Sequence, residues 1–208
     1  MPNNVTNVVT FSGDDVTVEA LLKTICAGLN SKGEQTYIDF NKILPIPKGL
    51  NITAGTKIEL MAETFIKKAG NDTSKIKGIM KENFEVLLDL KAEEIELLKK
   101  YITNFVNTGC IHWYDWCIKY WGTKWNAYSQ SRDRHTLRFC TAWDAPLPII
   151  KKLSTQFPSI QISIEFADEN IGNNCGRCIF ENGQLTDEYT PFGDEAIGFA
   201  TNLIDVEY

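Results

Sequence analysis

The apolar positions of this chain change period several times, and each change predicts an element. Val5 to Ser12 (V-T-N-V-V-T-F-S) is rich in β-branched residues and reads as a strand, with G-D-D after it as a turn and an acidic helix cap. Val18, Leu21, Leu22, Ile25, Cys26 and Leu29 then recur at helical spacing as one apolar stripe that must pack on something. Tyr37 to Ile43 (Y-I-D-F-N-K-I) alternates, which predicts a second strand stopped by P-I-P-K-G. Residues 57 to 108 turn Lys/Glu-rich and helical in period. One or two helices cover Glu59 to Leu88, and another carries Ala92, Ile95, Leu98, Ile102 and Phe105 on its apolar face until N-T-G ends it.

The second half returns to strands. Thr136 to Trp143 alternates, with Leu137, Phe139 and Thr141 on one face and Arg138, Cys140 and Ala142 on the other. D-A-P-L-P opens a helix that ends before Pro158, and Ser159 to Phe166 alternates strictly, so Ile160, Ile162, Ile164 and Phe166 bury together. Gly176 to Phe180 and the E-N-G-Q turn predict a further strand and hairpin, with a short closing helix over Gly193 to Leu203. The order is that of an α+β protein, β-α-β, a helical insert, then β-α-β-β.

Between the halves lies W-Y-D-W-C-I-K-Y-W-G-T-K-W-N-A-Y, which holds four of the five tryptophans. Trp113, Trp116, Cys117, Tyr120 and Trp121 share one helical face, and Gly122 stops the helix. Those aromatics are expected in the core, because burying one stabilises by several kcal/mol at ~25 cal/mol per Å². Trp125 lies past the stop, among polar neighbours, where recognition residues collect.

Several stretches carry a resemblance to a known family. M-P-N-N-V-T-N, Y-I-D-F-N-K-I-L-P-I-P, the Trp-rich block, T-A-W-D-A-P-L-P and F-A-D-E-N-I-G-N-N-C-G resemble the YubB family of phage- and plasmid-encoded proteins. The likeness touches both ends and the middle, outside the Lys/Glu-rich insert. It implies a ferredoxin-like βαββαβ sandwich, here with a mostly helical insert and an extra C-terminal hairpin. The expected division is 1–56 as the first half of the sandwich, 57–135 as an insert that includes the Trp-rich helix, and 136–208 as the second half with its extension. The resemblance also implies a mobile-element accessory protein, and it lends no reaction, cofactor or catalytic residue.

Charge sharpens the picture. The formal net charge is −6, but residues 106 to 164 carry +4 while residues 165 to 208 carry −9. The Trp-rich region is therefore a basic island, with Lys119, Lys124, Arg132, Arg134 and Arg138 interleaved with aromatics, as in segments that stack on bases and touch phosphates. The acidic tail argues the other way, since nucleic-acid binders usually carry a net basic footprint.

No familiar catalytic set assembles. C-G-R-C at 175 to 178 has redox or zinc spacing but lacks a second ligand pair and leads into a strand rather than opening a helix. Cys110, His112 and Asp115 match no ligand spacing, and Asp168 with Glu169 reads as a solvated strand end. No apolar run of ~18 residues and no secretion leader is present, so no membrane association is expected, and the cysteines are expected free in a cytosol.

The expectation is a non-enzymatic phage or plasmid accessory protein that binds a host or competing-element protein, plausibly in anti-defence. It would have no cofactor, no metal and no catalytic residues. The alternative is a nucleotide or single-stranded nucleic-acid binder. Either would use Lys124, Trp125, Asn126, Tyr128, Arg138 and Trp143.

Overall fold

A computed structural model describes residues 3–30, 33–70 and 72–205. Met1 and Pro2 of the opening motif lie outside the described residues. In chain order come β1 (Asn4–Ser12), α1 (Asp15–Ile25), the short β2 (Gly28–Leu29) and β3 (Gln35–Thr36), and α2 (Phe40–Ile43). A 3-10 turn (Lys48–Leu50) precedes α3 (Lys57–Lys68), α4 (Thr73–Glu82), α5 (Phe84–Leu88), α6 (Ala92–Thr108) and α7 (Trp113–Trp116). A π-helical turn (Cys117–Trp121) leads to β4 (Tyr128–Asp133), β5 (Thr136–Ala142), α8 (Leu147–Gln156), β6 (Gln161–Asp168), β7 (Cys175–Glu181), β8 (Gln184–Tyr189) and α9 (Asp194–Asp205). Residues 1–45 with 117–208 make one compact unit, and 46–116 make another.

In the first unit the six longer strands form one sheet in the order β4-β5-β1-β6-β7-β8, every pair antiparallel. The strands β4, β5, β1 and β6, with α1 and α8 as crossovers, give the ferredoxin-like topology. β7 and β8 extend the sheet as the expected hairpin, turning at Asn182 and Gly183, whose positive φ angles of 46° and 73° suit a tight type I′ turn. Register places Val9 opposite Leu137 and Ile164, and Asn7 opposite Phe139 and Phe166. Those residues share one face, under the buried stripes Val18, Leu21, Leu22, Ile25 of α1 and Ile149, Ile150, Leu153 of α8. The other face is partly covered by α9, whose Ala196 and Ala200 pack with Ala167 and Cys175. Small residues on both sides let that helix lie close to the strands.

Local chemistry accounts for the helix ends. The Asp14 carboxylate accepts from the Thr17 N–H at 3.0 Å and starts α1. Leu29, expected on the α1 stripe, falls beyond the helix and is exposed.

Two expectations are corrected here. The alternating run 37–43 is not a strand: Asp39 caps α2, accepting from the Asn41 N–H at 2.9 Å, and Phe40 and Ile43 bury from a helical turn. The second strand of the sandwich is β4, which lies within the expected insert 57–135. The compact insert unit spans 46–116 instead, because β4 pairs with β5 and the π turn packs on α8.

The aromatic stripe divides at the same boundary. Trp121 is 2 % exposed, donates its indole N–H to the Leu44 carbonyl at 2.9 Å, and meets the Phe40 ring edge-on at 5.5 Å. Cys117 is buried with it, whereas Trp113, Trp116 and Tyr120 are half-buried. The π turn closes through the Gly122 N–H to the Cys117 carbonyl at 3.0 Å, one residue wider than an α turn, so a single α-helical face does not run through it.

Gly122 has φ +80°, and a Cβ there would lie 2.7 Å from Pro148 Cδ and 3.2 Å from the Ala145 carbonyl oxygen. Gly122→Ala is therefore expected to destabilise the sandwich by about 3 kcal/mol, combining the left-handed penalty with overpacking against α8. Urea unfolding followed by tryptophan fluorescence would measure it, and a loss below about 1 kcal/mol would mean α8 yields easily.

In the second unit, α3, α4 and α6 bury Ile58, Ala62, Phe65, Ile76, Leu98 and Tyr101 in a core of their own. Gly109, at φ 71°, ends α6 where N-T-G was expected to. Among the described residues, no helix is long and apolar enough to cross a membrane.

Candidate functional site

The six candidate residues do not form one cluster. Three of them meet. The Lys124 ammonium lies over the rings of both Trp125 and Trp143, at 4.6 and 4.5 Å from their centroids. Both indoles are partly open to solvent, at 37 % and 40 % exposure, and no carboxylate pairs with Lys124 among the described residues. A cation between two indole faces is held by their quadrupoles while its outer side stays open.

Trp143 sits just past β5 with φ +74°, a left-handed conformation that is uncommon for so bulky a residue. Three bonds hold the turn. The Trp143 N–H donates to the Asn3 carbonyl at 2.9 Å, Asn174 Nδ2 donates to the Trp143 carbonyl at 3.1 Å, and Thr141 Oγ1 donates to the Asp144 carbonyl at 2.8 Å. The loop that supplies Asn174 also carries Ile171, 40 % exposed, and its Gly172 lies against Ile197 of α9, itself 49 % exposed. Exposed apolar side chains therefore lie on the loop and the helix that flank the segment bonded to Trp143.

The other three candidates are engaged within the fold. Asn126 accepts from the Phe40 N–H at 3.0 Å and donates to Asp39 at 2.7 Å, tying the loop after Gly122 to the start of α2. The Tyr128 hydroxyl donates to Asn4 Oδ1 and reaches the Thr141 carbonyl at 3.2 Å. Burial foremost, then Cys140 and Glu169 nearby, pushes the phenol up to about 12, so it remains a donor. Arg138 points to the other sheet face and donates to the Leu203 and Ile204 carbonyls at 2.8 and 2.9 Å, satisfying the last turn of α9. Sequence reading missed Asn3, Asn174 and the left-handed Trp143. The only available signal was a bulky residue directly before the turn-forming D-A-P.

The remaining basic residues of the island are also occupied. Arg132 pairs with Glu19, Arg134 with Asp15 at 3.2 Å, and Lys119 lies 5.1 Å over the Tyr120 ring. Of the island's other cations, Lys119, Arg132, Arg134 and Arg138 are thus engaged within the fold rather than arrayed beside the indoles to follow a phosphate backbone.

The thiol and histidine motifs fall into structural places. Cys175 is paired with Ala167 and Cys178 with Ile164, so the two thiols point to opposite faces of β7 and cannot approach each other as a disulfide requires. Burial pushes both thiols up. No group of three or more His, Cys, Asp or Glu side chains is placed to hold a metal among the described residues. Asp168 is buried and accepts from Asn3 Nδ2 at 3.1 Å and from the Asn170 N–H at 2.8 Å, which makes it a loop anchor.

His112 is 1 % exposed inside the second unit, with Nε2 3.0 Å from Glu59 Oε1 and the Asp115 N–H donating to Nδ1 at 3.4 Å. Burial raises the Glu59 carboxyl, but the His112 imidazole beside it and bonds from the Gly55 and Thr56 N–H groups outweigh that, so the group titrates below its ordinary 4.5. A carboxyl depressed in the folded state adds stability above its unfolded value, and that stability disappears as pH falls through the folded value. Glu59→Gln is thus expected to be less stable than the parent at neutral pH, with the gap closing once the pH drops below 4.5. Thermal unfolding of both proteins across that range checks it, and a gap that widens in acid would contradict it.

Comparison with known proteins bears on the sandwich. Residues 124–207, from the Lys124 clamp through α9, match the family model of the ferredoxin-like domain in Api92-like protein. Among solved structures, the crystal structure of a protein api92 from Yersinia pseudotuberculosis is similar at 12% identity and a TM-score of 0.47, over 93% of this chain and 99% of that one. No curated protein matches the chain.

Proposed function

We propose that this protein is a non-enzymatic binding module that docks a protein partner on the Trp125–Lys124–Trp143 surface. The observation that carries the reading is the clamp itself. A lysine with no acidic partner among the described residues is held between two open indoles, and one of these is fixed in an unfavourable backbone conformation by bonds from two other segments. Strain at an exposed residue persists where surrounding structure over-determines it, and such residues collect at ligand clamps. The partner this surface fits presents a carboxylate to Lys124 and apolar side chains to the indoles and Ile171. Tryptophan is among the residues that dominate binding energy at interfaces, and a basic island on an acidic protein favours an acidic partner.

The resemblance to the YubB family supports a phage- or plasmid-encoded accessory role, with the partner a host or competing-element protein met in the cytosol. The nucleic-acid reading has less support, because Arg132, Arg134 and Arg138 are engaged within the fold.

Affinity capture from host extract with the parent protein and with Lys124→Glu tests the proposal. One protein should be retained near stoichiometry by the parent and lost with the charge reversal, and the purified protein should rebind the parent. Identical capture profiles for the two would overturn the reading, as would low-salt quenching of the tryptophans by oligonucleotides with no protein retained.

A further inference from the structure

We infer that a hollow between α1 and the β4 edge, which shares no lining residue with the indole clamp, is a binding site for a small amphipathic anion, one apolar body bearing a single carboxylate or sulfonate. The hollow has a volume of about 470 Å³, within the range of small-molecule sites. Most of the surface it exposes is apolar, with Ala20 and Leu22 of α1, Cys26 and Tyr37 in the wall and the charged residues Glu19, Lys23 and Arg132 completing it. An apolar body is what such a lining takes up from water.

The wall is fixed before any ligand arrives. Gln130 of β4 accepts from the Tyr37 and Ile38 N–H groups at 2.6 and 2.8 Å and returns a bond to the Ile38 carbonyl at 2.9 Å. The Cys26 thiol donates to the Thr36 carbonyl at 3.0 Å, which holds the sulfur beside Tyr37. A site set by such bonds loses little entropy on binding.

Charge at the rim selects the sign of the ligand. Arg132 and Glu19 pair with each other, and the Arg132 Nε–H also donates to the Arg134 carbonyl at 2.7 Å. Lys23, one turn along α1 from Glu19, lines the same hollow and has no carboxylate partner among the described residues. The rim therefore carries one uncompensated positive charge above an apolar floor. A second hollow of about 510 Å³ shares Tyr37 with it, but Glu34, Gln35, Thr36 and Gln130 make that one polar, and no cation is among its described lining residues.

Cys26 supplies a local reporter. The test uses the full chain with 8-anilinonaphthalene-1-sulfonate, and octanoate as a competitor. Titration should saturate, and alkylation of Cys26 by iodoacetamide, read by peptide mass spectrometry, should slow at least about fivefold at saturation while Cys140, outside the hollow, is unaffected. Lys23→Glu, an exposed change, should weaken the sulfonate at least about tenfold with unfolding unchanged. If Cys26 alkylates too slowly to follow, the fluorescence of Tyr37→Trp reads the same occupancy. Unchanged Cys26 reactivity, or an unchanged Tyr37→Trp signal, at about 1 mM probe overturns the proposal, as does equal affinity in Lys23→Glu. Octanoate failing to displace the sulfonate would likewise overturn it.

Discussion

Trp121→Ala is expected to lose about 4 kcal/mol of the sandwich's folding free energy, the scale for removing a fully buried tryptophan. Three effects add. The cavity replaces a side chain that is 2 % exposed, the edge-on contact with Phe40 disappears, and the Leu44 carbonyl loses its indole donor inside the fold. Phe40 in turn meets Phe139 of β5 edge-on at 6.1 Å, so the loss reaches the sheet itself. In urea, with a slope of about 2 kcal/mol/M, the sandwich transition should move by about 2 M. Trp113→Ala should cost less than half as much, because that ring is only half-buried. Similar losses at both positions would contradict the division of the stripe at the π turn.

The second large effect concerns Trp143. Its φ of +74° carries a penalty of about 1 kcal/mol that alanine retains and glycine escapes. Trp143→Gly should thus be about 1 kcal/mol more stable than Trp143→Ala, although both remove the same indole. Binding should behave differently, since both variants open one side of the Lys124 clamp. Each is expected to lose about 2 kcal/mol or more of partner affinity, roughly thirtyfold, as a central interface anchor does. A residue present only for packing would give the reverse pattern, a large loss of stability in both variants and little change in affinity. Unfolding curves and calorimetric titration of the three proteins separate the two cases.

What could be read from the chain depended on how local the cause was. The strand β1, the helix α1 with its Asp14 cap, the alternation of β6 and the Asn182–Gly183 turn follow from neighbours within a few residues. The edge strand β4, with sequence Y-S-Q-S-R-D, carries no apolar alternation, because little of an edge strand is buried. The run around Ile38 and Phe40 did alternate, yet the Asp39 cap turned it into a helix while Gln130 bonded its backbone through a side chain. At the site, the clamp of Lys124, Trp125 and Trp143 was foreshadowed by aromatic and basic residues outside the helical stripe. The roles of Asn126, Tyr128 and Arg138 were hidden because their partners Asp39, Asn4 and Leu203 lie 87, 124 and 65 residues away in the chain. Residue type alone does not distinguish an arginine that caps a helix from one that meets a ligand.

The most direct measurement pairs two numbers for Trp125→Ala, the dissociation constant for the captured partner and the free energy of unfolding. Binding through the clamp requires at least a tenfold weaker complex, about 1.4 kcal/mol, with unfolding within about 1 kcal/mol of the parent. An unchanged dissociation constant, or a loss of binding matched by an equal loss of folding, would return Trp125 to the packing of the fold and contradict the proposal.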